Sequence, residues 1–190
     1  MRKTLKKISG KKEKGIGNML ICLMFLIVVV ICLMYSLKYR NIKMARDKMD
    51  DGITASSLAA LIIDMDTYTA TSEYMLHPEK AYSAFIETLK LNLKLNDNME
   101  ALNPVYYKKI DVGDFIIYNV NKNDVTVITY VNGIPSSYTY QNGLGSVTAK
   151  NGEVITSSSL YVRLEMDLKG FMGSGEKHVD IDNLLAVETK

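Results

Sequence analysis

Met19-Leu-Ile-Cys-Leu-Met-Phe-Leu-Ile-Val-Val-Val-Ile-Cys-Leu-Met-Tyr-Ser-Leu37 is the stretch on which the architecture turns. As a helix it is roughly 28 Å long at about 1.5 Å per residue. The hydrocarbon core of a bilayer is about 30 Å thick, so one such helix spans it. A soluble helix this apolar would need a protein shell on every side. A cleavable secretory signal has a shorter apolar region, about 7–15 residues, followed by a small-x-small cleavage site. Here the run is longer and passes into Tyr35-Ser-Leu-Lys-Tyr-Arg40, with no such site. An uncleaved signal anchor is therefore expected, with Tyr35 and Tyr39 at one membrane interface.

The charges around that run are unevenly distributed. Gly15 to Leu37 holds 23 residues without a charge. Residues 1–51 carry 12 of the 23 Lys+Arg and 4 of the 21 acids, a net of +8, and residues 52–190 carry a net of −6. The formal charge of +2 thus hides a basic membrane-proximal end and a mildly acidic body. That distribution argues against a nucleic-acid binder built on a basic folded domain. A single spanning segment argues against a polytopic transporter. Seven bases precede the span (Arg2 to Lys14) and five follow it (Lys38 to Lys48), which by the positive-inside rule keeps the N-terminus in the cytoplasm and the body outside. Both cysteines, Cys22 and Cys32, lie in the apolar run, so the body has neither a disulfide framework nor a thiolate metal site.

Beyond the span, Lys38 to about Asp66 contains no proline and one glycine, Gly52. Ile53, Leu58, Leu61, Ile62 and Met65 recur at helical spacing, so a helix is expected to continue outward, with a weak point at Gly52. Gly52, Ser56 and Ala60 follow a small-xxx-small pattern that lets another backbone approach closely. The partner of that seam is either this protein's own head or a neighbouring subunit. Pro78-Glu-Lys opens a second helix with the apolar stripe Tyr82, Phe85, Ile86, Leu89 and Leu93.

The period then changes to two. Phe115–Val120 and Val125–Val131 read as strands, and Asn-Gly recurs at 132–133, 142–143 and 151–152 as a tight-turn signal. Leu160, Val162, Leu164, Met166 and Leu168 alternate with polar neighbours, the pattern of a half-buried antiparallel strand. Phe171–Gly175 reads as a turn and 176–188 as a final strand. The fold class is α+β: an N-terminal transmembrane helix extended into an amphipathic stalk, then a helix and a small antiparallel β-sheet head. The corresponding segments are a cytoplasmic basic tail (1–15), the transmembrane helix (16–37), an extracytoplasmic helical stalk (38–76) and the α+β head (77–190).

Chemistry-bearing constellations are not evident. His77 and His178 are far apart in the chain and share no metal-ligand spacing. Gly170-Phe-Met-Gly-Ser-Gly175-Glu-Lys177 brushes the phosphate-loop pattern, but Glu176 stands where lysine is needed. Gly143-Leu-Gly145 lacks the third glycine of a dinucleotide site. The pairs Asp64/Asp66 and Asp180/Asp182 do not sit in the dense oxygen cage that calcium prefers. With no Gly-x-Ser-x-Gly and no cysteine in the body, neither an enzyme nor a cofactor or metal site is expected. Tyr118, Tyr130, Tyr138, Tyr140 and Tyr161 are read as cross-strand packing partners or, alternatively, as an adhesive surface.

Taken together, the basic tail, the Lys11-Lys-Glu-Lys-Gly-Ile-Gly-Asn18 segment, the apolar helix, its extension and the β-rich head resemble the tight-adherence (Tad) type pilin-like or pseudopilin membrane proteins of Clostridia-like bacteria. The resemblance implies cutting by a prepilin peptidase after Gly15 or Gly17. The family's glutamate five positions after the cut is replaced by Leu20 or Cys22, which points to a minor or accessory subunit of a surface appendage or secretion apparatus. The implied partners are the lipid bilayer and other pilin-like subunits or assembly-platform proteins. The alternative is a membrane-tethered extracytoplasmic binding module that never enters a filament.

Overall fold

An N-terminal apolar helix leads into two shorter helices and an open antiparallel sheet. The computed structural model describes residues 2–104, 107–168 and 177–187. The elements are α1 (Arg2–Ala60), α2 (Met65–Thr71), α3 (Pro78–Leu93), β1 (Tyr107–Asn121), β2 (Asp124–Val131), β3 (Ile134–Tyr140), β4 (Ser159–Leu168) and β5 (Lys177–Ala186). The chain divides into two units, Met1–Lys43 and Met44–Lys190, and the division falls within α1. The first unit is helical. The second carries the sheet, in the order β3-β2-β1-β4-β5 with every pairing antiparallel. The turn expected over Phe171–Gly175 lies outside the described residues, and the strand expected near 176–188 is β5.

The helix expected to run to Asp66 ends at Ala60, and it passes Gly52 without a break. Its end is set by long-range pairing. The Asp64 N–H donates to the Met75 carbonyl (2.8 Å) and the His77 N–H to the Ile62 carbonyl (2.8 Å), with an antiparallel bridge between Ile63 and Leu76. Asp64 then caps α2, accepting from the N–H groups of Asp66 and Thr67. That bonding, the Thr67 hydroxyl above all, holds the Asp64 carboxyl below the usual carboxylate range.

The buried stripe of α1 also differs from the one its large apolar residues mark. Ala45, Met49, Ile53, Ser56, Ser57 and Ala60 are buried, whereas Leu58 and Met65 are exposed at 57% and 60%. At Gly52 a small residue is required, because Leu93 of α3 lies against it.

Alternation in the strands sorts the sheet into two faces. On the helical face, Phe115, Ile117, Leu160, Val162 and Leu164 are buried, as are Phe85, Leu89 and Leu93 of α3 and Met49 and Ile53 of α1, and the Phe85 and Phe115 rings meet at 5.2 Å. Tyr82 of α3 stacks on Tyr130 (4.5 Å, 5° between planes), and both meet Phe115 edge-on at 5.1 and 5.4 Å. The outer face holds a second, smaller core of Ile116, Tyr118, Val120, Val125, Ala149, Ile155 and Tyr161. The segment between β3 and β4 supplies its lid, where Ile155 N–H donates to the Val147 carbonyl and Thr148 bridges Val154. β4 is therefore covered on both faces at Tyr161, more than its half-buried pattern implies.

Candidate functional site

The first functional element is the apolar run itself. Within the first unit every side chain from Gly17 to Leu33 is exposed, including Phe25 at 70% and Met24 at 68%. A contiguous apolar surface of this length is not sustained in water. Its backbone bonds are all made inside the helix, the condition a lipid-embedded segment has to meet. It is the one helix among the described residues long and apolar enough to cross a membrane. The chain is a single-pass, membrane-anchored protein.

The positions singled out in the sequence fall in two places. Gly15 and Gly17 lie inside α1, and no atom comes within 4 Å of where a Cβ on Gly17 would stand. Gly52, Ser56 and Ala60 lie in the second unit on the buried stripe of α1, with Gly52 against α3. A Cβ on Gly52 would stand 2.6 Å from Leu93 Cδ2 and 2.9 Å from its Cγ. Ser56 Oγ donates back to the Gly52 carbonyl (2.7 Å), removing its hydroxyl from the contact, and Ser56 and Ala60 are both fully buried. The close approach at Gly52 is made to Leu93 of the same chain.

The head carries three polar arrangements that motif reading does not find. In the first, Asn119 sits on the helical face of β1 and clasps Leu76 like a short strand. Its Nδ2 donates to the Leu76 carbonyl (2.9 Å) and its Oδ1 accepts the Leu76 N–H (2.7 Å). One signal was legible: a polar residue in the apolar face of Phe115–Val120. The second is centred on Asp114, a buried carboxylate just past a register shift in the β1–β4 ladder. Lys150 pairs with one of its oxygens, and Arg163 Nε lies 3.1 Å from the other while its Nη2 reaches Glu165 at 2.9 Å. Further along the same face, His178 Nδ1 is 3.0 Å from Asp167, and that bond raises the imidazole pKa above its ordinary 6.5. Tyr161 is pushed up to about 12, by burial first and then by the neighbouring Asp182 and Asp114 carboxylates. The phenol is thereby held in its neutral form.

The third is a cleft of about 710 Å³ between α3 and the β1–β2 edge, lined among others by Tyr82, Lys90, Asp97, Lys109, Asp111 and Tyr130. Four of its charged residues pair, Lys90 with Asp97 at 3.0 Å and Lys109 with Asp111. Among the described residues no three His, Cys, Asp or Glu side chains converge on a point where a metal ion would sit. Asp64 of the first acid pair is engaged as a helix cap, and Asp182 of the second lies beside Tyr161. Of the five tyrosines named from sequence, Tyr118, Tyr130 and Tyr161 are buried while Tyr138 and Tyr140 are exposed.

No protein-family model, curated protein or solved structure matches the chain. The chain has a membrane anchor, a helix that continues into the head unit, and a small β-sheet domain.

Proposed function

We propose that the chain is a non-enzymatic, pilin-like subunit, minor or accessory, of a Tad or type IV-like surface appendage or secretion apparatus. One observation carries the reading. A single helix, α1, contributes a wholly exposed apolar segment and, from Ala45 to Ala60, a buried stripe of the head. A subunit that is stored in a bilayer and later withdrawn into an assembly needs that division of labour. Lipid tails and a packed helix bundle are similarly apolar, so the exposed segment exchanges one for the other at little cost. The excess of bases before the span supports this reading, in which the N-terminus is cytoplasmic and the head lies outside the cell. Assembly-platform proteins and other pilin-like subunits are the partners of this reading.

A membrane-tethered binding module is the second reading, and the residues at Leu20 and Cys22 favour it over a major pilin. A carboxylate at the fifth position would neutralise the amine freed by cutting, which is costly to leave unpaired among apolar groups. Mass spectrometry of the N-terminus, on protein from cells that contain a prepilin peptidase, separates the two. A start at Ile16 or Asn18 supports the pilin-like route. A start at Met1 or Arg2 removes it and leaves the tethered module.

A further inference from the structure

The two edges of the sheet are built differently. β5 carries Lys177, His178, Asp180 and Asp182, and charges of this kind keep an edge strand from pairing with another chain. β3, at the other edge, has no such protection. Its residues Ile134-Pro-Ser-Ser-Tyr-Thr-Tyr140 lie in a run of 25 uncharged residues from Val125 to Ala149, and all seven are exposed.

The hairpin fixes which backbone groups that edge presents. Asn132 and Gly133 have φ of 52° and 79°, the left-handed pair of a two-residue turn, so Val131 and Ile134 form a hydrogen-bonded pair. Counting on by twos, Ile134, Ser136, Tyr138 and Tyr140 point their N–H and C=O groups at β2. Pro135, Ser137 and Thr139 point theirs outward, and β3 is the last strand in the sheet. The outward ladder therefore offers the N–H groups of Ser137 and Thr139 and the carbonyls of all three residues.

We propose that this edge pairs antiparallel with β3 of a second copy of the chain, about a two-fold axis through Ser137. In that register Ser137 exchanges two hydrogen bonds with its counterpart, and each Thr139 N–H donates to the Pro135 carbonyl of the other copy. The missing proline N–H costs one bond per copy and does not block the pairing. Side chains match as well. Ile134, 72% exposed, comes opposite Tyr140, 46% exposed, and Tyr138, 66% exposed, comes opposite Ser136. Each of these pairs forms twice, because the contact is self-complementary. No like charges are brought together, which would not hold for β5 against itself. Confinement to a membrane raises the effective concentration of copies, so a contact of a few backbone bonds suffices. The pairing involves only the head and holds whether or not the N-terminus is processed.

The test uses the full chain with Cys22→Ser and Cys32→Ser, reconstituted in phosphatidylcholine vesicles. A cysteine at the axis has its counterpart about 5.5 Å away between Cα atoms, within disulfide range. Ser137→Cys should therefore cross-link at least tenfold faster than Ser136→Cys or the exposed Thr148→Cys. Thr139→Pro removes an outward donor together with the hydroxyl contact to Thr126 (3.0 Å); it should weaken dimerisation roughly thirtyfold through two lost intermolecular hydrogen bonds, whereas Thr139→Val, which removes the hydroxyl alone, should not. Ile134→Lys, at a side chain exposed in the single copy, should weaken it as Thr139→Pro does, without touching the fold. Equal cross-linking at 136, 137 and 148, or a dimer fraction unchanged by both Thr139→Pro and Ile134→Lys, would overturn the proposal. A chain that stays monomeric in the vesicles would do so too.

Discussion

Replacing Gly52 by alanine tests how α1 meets α3. In an open helix the change stabilises by about 1 kcal/mol, because alanine has less backbone freedom to lose. Here the new methyl would stand 2.6 Å from Leu93 Cδ2 and 2.9 Å from its Cγ. Leu93 is 1% exposed, so its side chain has no open space to swing into. Overpacking of this kind costs about 1–3 kcal/mol. The net expectation is a loss of about 1 kcal/mol for Gly52→Ala. Leu93→Ala alone should cost about 2–5 kcal/mol, as buried leucines do. In the Leu93→Ala background the obstruction is gone, and Gly52→Ala should stabilise by about 1 kcal/mol, giving a coupling of about 2 kcal/mol. Urea unfolding of the full chain in detergent micelles measures this, with tyrosine fluorescence as the signal, since the chain has 12 Tyr and no Trp. If Gly52→Ala stabilises equally in both backgrounds, the glycine does not touch Leu93 and the packing described above is wrong.

Asn119→Ala leaves both backbone groups of the buried Leu76 without their partner and should cost about 2–4 kcal/mol in the same unfolding assay; a loss under about 0.5 kcal/mol would contradict the clasp. Ser57 Oγ is buried with no hydrogen-bond partner, so Ser57→Ala should be neutral or stabilise by up to about 2 kcal/mol, in contrast to Asn119. The Asp167 carboxylate raises the His178 pKa, so their pairing contributes stability that is present below the ordinary value of 6.5 and is lost as pH rises through the raised value. Titration of the His178 ring by NMR should show its midpoint fall in Asp167→Asn, and an unchanged midpoint would mean that the pair does not form in solution.

The Asn132-Gly133 hairpin, β2, β4 and the apolar half of β1 were legible because their signals are local, whereas β3 and the first half of β1 were not read as strands. Asn132-Gly133 requires two left-handed residues in succession, which only a tight hairpin uses, and the alternation from Leu160 to Met166 places every second side chain on the same core. Pro78 likewise marks the start of α3, and the Lys94 cap ends it directly after Leu93, the last residue of the apolar stripe. The end of α1 was harder to place. The apolar periodicity of Leu61, Ile62 and Met65 runs past the true terminus, and the pairing of Ile63 with Leu76 overrides it. Asp64, a good N-cap two residues before Asp66, was the only local sign of a new start. The polar arrangements around Asn119 and Asp114 have no motif. Their partners, Leu76, Lys150 and Arg163, are brought to them from distant parts of the chain.

By itself, then, the sequence determined that this chain is anchored in a membrane and that an antiparallel sheet follows. Both depend on composition and period over short windows, where hydration and backbone geometry act residue by residue. Tertiary structure decided which stripe of α1 is buried, where that helix stops, and which sheet edge is left open. Those outcomes depend on what lies opposite each residue. Leu93 makes Gly52 the point of contact, Leu76 draws Ile63 out of the helix, and among the described residues no strand pairs with the outer side of β3.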